Sequence, residues 1–81
     1  MPNSQFSMKK EDSIHQDIGY RLRLARQEKN LRSNEVSKQL YLHPSTISKF
    51  EKGDKRVAVE HLVRFSKLYE KPVAYFLQDF C

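Results

Sequence analysis

Ser45, Thr46, Ser48, Lys49 and Lys52 remain on the outside when a helix over this stretch turns Ile47 and Phe50 inward. Their chemistry is noncovalent: ammonium groups only donate hydrogen bonds, and hydroxyls both donate and accept. A polar, basic helix surface of this kind suits a DNA major groove, where every base pair displays its own pattern of donors and acceptors. Other chemistries find little support. The chain has no Gly-rich phosphate loop, and none of His15, His43 and His61 has a second metal-type ligand four residues on. Glu60 and His61 are sequence neighbours, which diverge by about 100° on a helix. The reading is of a non-enzyme with no metal and no cofactor.

The elements that must position this surface are short helices. Val36 and Leu40 share one helix face, Ile47 and Phe50 share another, and Leu42 sits between them, the spacing of a helix-turn-helix. Ser37 is small where the second helix passes close to the first. Pro44 fits a first helical position, where its missing N–H costs nothing. Helix 2 is thus expected over about residues 33–40, and helix 3 over 44–52 with Gly53 as terminator. Ahead of them, Ser13 and Gln16 form a capping box for a first helix with the stripe Ile14, Ile18, Leu22 and Ala25. It ends near Lys29, with Asn30 left-handed and Leu31 packing back. Beyond Gly53, Lys55 and Arg56 lie side by side in a loop. A fourth helix over about 59–70 buries Leu62, Val63, Ser66 and Tyr69, widened by Phe65 and Leu68. Pro72 starts a fifth, with Val73, Phe76, Leu77 and Phe80 at helical spacing and Tyr75 beside them. Five short helices with brief connections make an all-α fold and exclude a sheet of any size.

The 81 residues suffice for one domain, and 15 Lys and Arg against 10 Asp and Glu give +5. That charge favours a polyanionic partner, although it also serves ordinary solubility. The single cysteine, Cys81, cannot make an intramolecular disulfide, and no run of eighteen apolar residues exists to span a bilayer. The opening MPNSQFSMKKED lacks the apolar core of a secretory signal, so the expected location is cytoplasmic, away from any membrane. Residues 1–12 read as a mobile N-terminal tail whose Lys9 and Lys10 could reach phosphate, and residues 13–81 as the domain.

From Ile18 to about Leu77 the chain resembles the Cro/CI-type (Xre-like) helix-turn-helix repressors. The matching pieces are IGYRLRLAR from Ile18, NEVSKQL from Asn34, STISKFEKG from Ser45, VEHLVRFSKLY from Val59 and PVAYFL to Leu77. The resemblance implies a compact five-helix, lambda-repressor-like domain whose helices 2 and 3 form the helix-turn-helix. It implies that Pro44, Ser45 and Lys49 face base edges, with Thr46 and Lys52 nearer the sugar-phosphate backbone. It also implies a structural ion pair between Arg26 and Glu51, and a dimer surface on helix 5 that includes Tyr75, Phe76 and Phe80. Three departures stand out. Tyr41 occupies a turn position usually held by Gly, and Arg32, His43 and Ala58 occupy helix starts usually held by Ser or Thr.

Beside the resemblance, physical chemistry adds phosphate contacts. A helix N-terminus presents unsatisfied N–H groups and a partial positive charge, so Arg32, Ser33 and Asn34 at the start of helix 2 should grip a phosphate. Lys55 and Arg56 would take another on the same face. The expected function is a sequence-specific transcriptional regulator, a homodimeric (auto)repressor that places helix 3 in the major groove of a palindromic double-stranded operator. The alternatives are an antitoxin and a helix-turn-helix adaptor whose main surface contacts another protein.

Overall fold

The computed structural model describes residues 11–78. Lys9 and Lys10, and at the other end Phe80 and Cys81, lie outside the described residues. Five helices follow in order: α1 (Glu11–Glu28), α2 (Ser33–Leu40), α3 (Pro44–Lys52), α4 (Val59–Tyr69) and α5 (Val73–Phe76). The fold is all-α, and among the described residues there is no strand. None of these helices is long and apolar enough to cross a membrane.

The helices form because each has an apolar stripe to hide. Ile18, Leu22 and Ala25 of α1 are buried against a core that takes Val36 and Leu40 from α2 and Ile47 and Phe50 from α3. Leu42, in the turn between them, packs on the edge of that core. Phe50, Phe65 and Tyr69 join in a row of rings, Phe50 edge-on to Phe65 at 5.9 Å and Phe65 stacked on Tyr69 at 5.6 Å. From α4 the buried side chains are Leu62, Phe65 and Tyr69. Val63 was expected among them but is 36% exposed, because it stands one residue, about 100°, past Leu62.

Four of the five helices close in one way. In each, a residue just past the helix end turns left-handed, and the N–H that follows it donates to a carbonyl five residues back: Leu31 to Arg26 at 3.1 Å, Leu42 to Ser37 at 3.0 Å, Asp54 to Lys49 at 2.9 Å and Lys71 to Ser66 at 3.0 Å. The left-handed residues are Asn30, Tyr41, Gly53 and Glu70, so three of the four closures are made without glycine. Helix starts are less uniform. Glu35 accepts from the Arg32 N–H at 2.7 Å, His43 accepts from the Ser45 N–H, and Ala58 has no side-chain cap. Arg64 reaches back from α4 to donate to the Leu40 carbonyl at 2.7 Å, which holds the end of α2.

Two boundaries depart from expectation. Glu11 and Asp12 already belong to α1, so Ser13 stands inside the helix and its hydroxyl is not at a cap. At the other end α5 is a single turn, closed by the tight bond from the Leu77 N–H to the Ala74 carbonyl, and does not run on through the described residues.

Phe76 is 1% exposed, filling this chain's own core, so its ring has no surface left to offer a second copy. Tyr75 beside it is half-buried, with Arg21 at 5.3 Å and Lys71 at 4.9 Å from its ring centre. Lys71 also pairs with Glu28 at 2.8 Å, which fastens the approach to α5 onto α1.

Candidate nucleic-acid interface

Burying Ile47 and Phe50 leaves the opposite side of α3 outside. Pro44, Ser45, Lys49 and Lys52 are exposed there, and Thr46 is half-buried. The start of the helix is built by two residues in sequence: Pro44 supplies the helical φ at its first position, and His43 supplies the cap. Nδ1 of His43 accepts from the Ser45 N–H at 3.1 Å and lies 2.8 Å from Ser45 Oγ. The sequence reading placed His43 at this helix start, in place of the usual Ser or Thr, and did not give it the capping role.

What holds α3 at its angle comes from α1. Gly19 meets the last turn of α3 with no side chain between the two backbones. Two turns further along α1, Arg26 Nε donates to Glu51 Oε2 at 2.7 Å and Nη2 donates to Oε1 at 3.0 Å. The same guanidinium donates through Nη1 to the Leu31 carbonyl at 2.9 Å, in the link that leads to α2. The two side chains are 16% and 10% exposed, so water screens the pair little. The hydrogen bonds to Glu51 raise the Arg26 pKa further, against the opposing effect of burial. Tyr69 lies near enough for both charges to act on it, and burial above all pushes its phenol well above the ordinary value.

Around this ion pair opens a cleft of about 280 Å³, lined by Arg23, Arg26, Ser33, Ser48, Glu51 and Lys52. It lies below the about 300–1,000 Å³ of small-molecule pockets and suits a smaller group. Because Arg26 neutralises Glu51, the charges left to act on an occupant are Arg23 and Lys52, neither of which is ion-paired within the described residues. The cleft thus brings Ser33 of α2 together with Lys52 of α3, two residues the sequence reading assigned to backbone contacts. It adds Arg23 of α1, which the reading missed, and Ser48, which the reading placed on the outer face of helix 3 without a role of its own. Arg32, Asn34, Lys55 and Arg56 are exposed and do not line the cleft. Among the described residues no group of three His, Cys, Asp or Glu stands close enough to hold a metal ion.

Comparison with known proteins bears on the family and the fold. A helix-turn-helix family model matches residues 22–76. Two curated relatives, from Sinorhizobium medicae and Rhizobium meliloti, are each 31% identical over 71 residues, covering 88% of this chain and 51% of theirs. Both are named uncharacterized HTH-type transcriptional regulators. The chain therefore spans about half the length of the curated relatives it matches. Among solved structures, the DNA-binding domain of S. venezulae BldD superposes with a TM-score of 0.71 at 23% identity, over 79% of this chain and 96% of that one. A crystal structure of the DNA-binding domain of BldD gives 0.73 at 22%, over 85% and 97%. The chain belongs to the helix-turn-helix family of Cro/CI (Xre-like) type.

Proposed function

We propose that this domain is the sequence-specific DNA-binding part of a transcriptional regulator, and that it represses by occupying a palindromic operator as a homodimer. One observation carries the reading: α3 presents exposed Ser45 and Lys49 while Ile47 and Phe50 behind them are buried, and Arg26, Glu51 and Gly19 fix its angle to α1. In a major groove Lys49 donates to guanine O6 and N7, Ser45 offers its hydroxyl, and Pro44 offers an apolar contact to a thymine methyl. Thr46 and Lys52 contact the backbone, as do Arg32, Ser33 and Asn34 at the start of α2 and Lys55 and Arg56 beyond α3. These contacts position the domain without specifying sequence. We add Arg23 and Ser48 to them: the cleft they share with Ser33 and Lys52 seats one phosphate between α1, α2 and α3.

A dimer follows from the task, since two reading helices about 34 Å apart meet successive turns of one groove face. Of the three residues assigned to the dimer surface only Tyr75 keeps described surface to contribute. Relatives named as transcriptional regulators support the regulatory role, and the BldD domains share the fold. The test is selection of bound sequences from a random DNA pool, followed by gel shift of the winner at rising salt. The expected result is a two-fold symmetric motif whose affinity falls about 10³–10⁵-fold between 50 and 200 mM salt, as for about 6–10 phosphate contacts. No enrichment, with no low-salt affinity for any duplex, would point to a protein-binding adaptor.

A further inference from the structure

We propose that His43, which need touch no base, sets the hydrogen-bonding polarity of Ser45 and so decides which bases Ser45 accepts. This rests on the DNA-reading role proposed for α3. The Ser45 backbone N–H can only donate, so the Nδ1 that faces it at 3.1 Å must be an unprotonated acceptor. The ring proton of neutral His43 therefore sits on Nε2. The Ser45 hydroxyl lies 2.8 Å from that same Nδ1. With the lone pair on Nδ1 and no hydrogen there to give, the hydroxyl bonds to it only by donating its own proton.

Ser45 Oγ consequently points its hydrogen back at the cap and presents lone pairs outward. A serine is ordinarily indifferent, able to donate or accept at any base. Held this way, it is an acceptor and fits the groove donors, the N6 amino group of adenine and the N4 amino group of cytosine. It disfavours the acceptors of guanine and the O4 of thymine. Lys49, one turn along and able only to donate, has the opposite preference. Ser45 and Lys49 thus read complementary base chemistry, and the polarity of Ser45 is set by a residue outside the helix. His43 is on this account a positioning residue, acting through Ser45.

The experiment compares motifs selected by the wild-type chain, Ser45→Ala, His43→Ala and His43→Asn, each assayed well below its own melting temperature. Asn is a strong N-cap whose side-chain oxygen can accept from the same N–H and the same hydroxyl, so it should restore the arrangement. The expected result is a wild-type preference for adenine or cytosine of roughly 2- to 10-fold at one base pair per half-site, the worth of a single hydrogen bond. Ser45→Ala and His43→Ala should both relax that position alone, and His43→Asn should keep it. If His43→Ala weakens binding to all sequences alike and leaves that position unchanged, His43 is only a helix cap and the proposal is wrong. If Ser45→Ala leaves a well-defined wild-type motif untouched, Ser45 reads nothing; the proposal then fails while DNA recognition by α3 stands. A wild-type chain that selects no motif would instead overturn the DNA-binding reading itself, and this inference with it.

Discussion

Gly19 lies against the carbonyl of Phe50 so closely that a Cβ placed on it would fall 2.3 Å from that oxygen, with the Glu51 carbonyl 2.6 Å away. Both obstacles are backbone, so neither can swing aside. Gly19→Ala should therefore destabilise the domain although alanine is the better helix former. Forcing the helices apart costs about 1–3 kcal/mol, against roughly 1 kcal/mol gained in propensity. A net loss near 1 kcal/mol lowers the melting temperature by about 4–8 °C in a domain of this size. An unchanged or higher melting temperature would mean that α1 and α3 do not approach as described.

The two-point pair of Arg26 and Glu51 calls for a double-mutant cycle. With both side chains mostly buried, Arg26→Gln or Glu51→Gln leaves its former partner uncompensated, at about 3 kcal/mol. The double variant should recover part of the loss. Arg26→Gln should be the worse single change by about 1 kcal/mol, because it also frees the Leu31 carbonyl. Coupling below about 0.5 kcal/mol in denaturant unfolding would remove the pair from any account of how α3 is aimed.

Tyr41→Gly should stabilise. Tyr41 sits at φ 56° and ψ 42°, and its side chain is 90% exposed, so no packing is lost on removing it. Relief of left-handed strain is worth about 1–2 kcal/mol, against about 0.4–1 kcal/mol of added unfolded-state entropy. The melting temperature should rise by a few degrees, and a fall would show that the aromatic ring supports the turn.

Arg23 and Lys49 should separate cleanly in binding assays. Arg23→Ala should weaken operator and unrelated DNA alike and reduce the slope of log affinity against log salt by about 0.9 per bound protomer. Lys49→Ala should instead cost about 1–3 kcal/mol at one or two base pairs and relax the preference there. An unchanged salt slope for Arg23→Ala would empty the cleft of its phosphate.

Tyr69 supplies a pH test. Its hydroxyl is buried with no hydrogen-bond partner among the described residues, and burial raises its pKa above the ordinary 10.0. Burial penalises the phenolate in the native form, so the folded state holds the phenol protonated. No loss is felt below pH 10, and stability falls as pH climbs past it, at up to about 1.4 kcal/mol per pH unit. Tyr69→Phe removes an unpaired buried polar group, so it should leave stability at pH 7 equal or higher and flatten the alkaline loss. Melts at pH 7 and pH 11 decide it; a variant as alkali-sensitive as the parent would assign the loss to other groups.

How much of this was legible in advance depends on how far apart in the chain the partners lie. The ends of α2 and α3 could be read because Pro44, Gly53 and the period of Val36, Leu40, Ile47 and Phe50 act locally. The Gly19 contact was not, since a helical glycine reads only as a weak helix former until its partner, thirty residues away, is known. Arg23 was hidden for the same reason: three helices must meet before its cleft exists. Phe76 shows another limit. Apolar spacing marks a side chain for burial but does not say whether its own chain or a second copy will bury it. His43 was passed over because histidine is an uncommon cap, and only the position of Nδ1 reveals the role.

Arg26 joins the carboxylate of α3 and the carbonyl that leads into α2, so the frame that aims the exposed face lies wholly behind it. The side chains of Ser45 and Lys49 contribute nothing to that frame or to the core. Exchanges at these two sites should therefore shift folding stability by no more than about 0.5 kcal/mol. A lineage carrying this domain can acquire new target preferences one substitution at a time, each intermediate remaining folded, so descendants of one ancestor can part in what they recognise well before they part in how they fold.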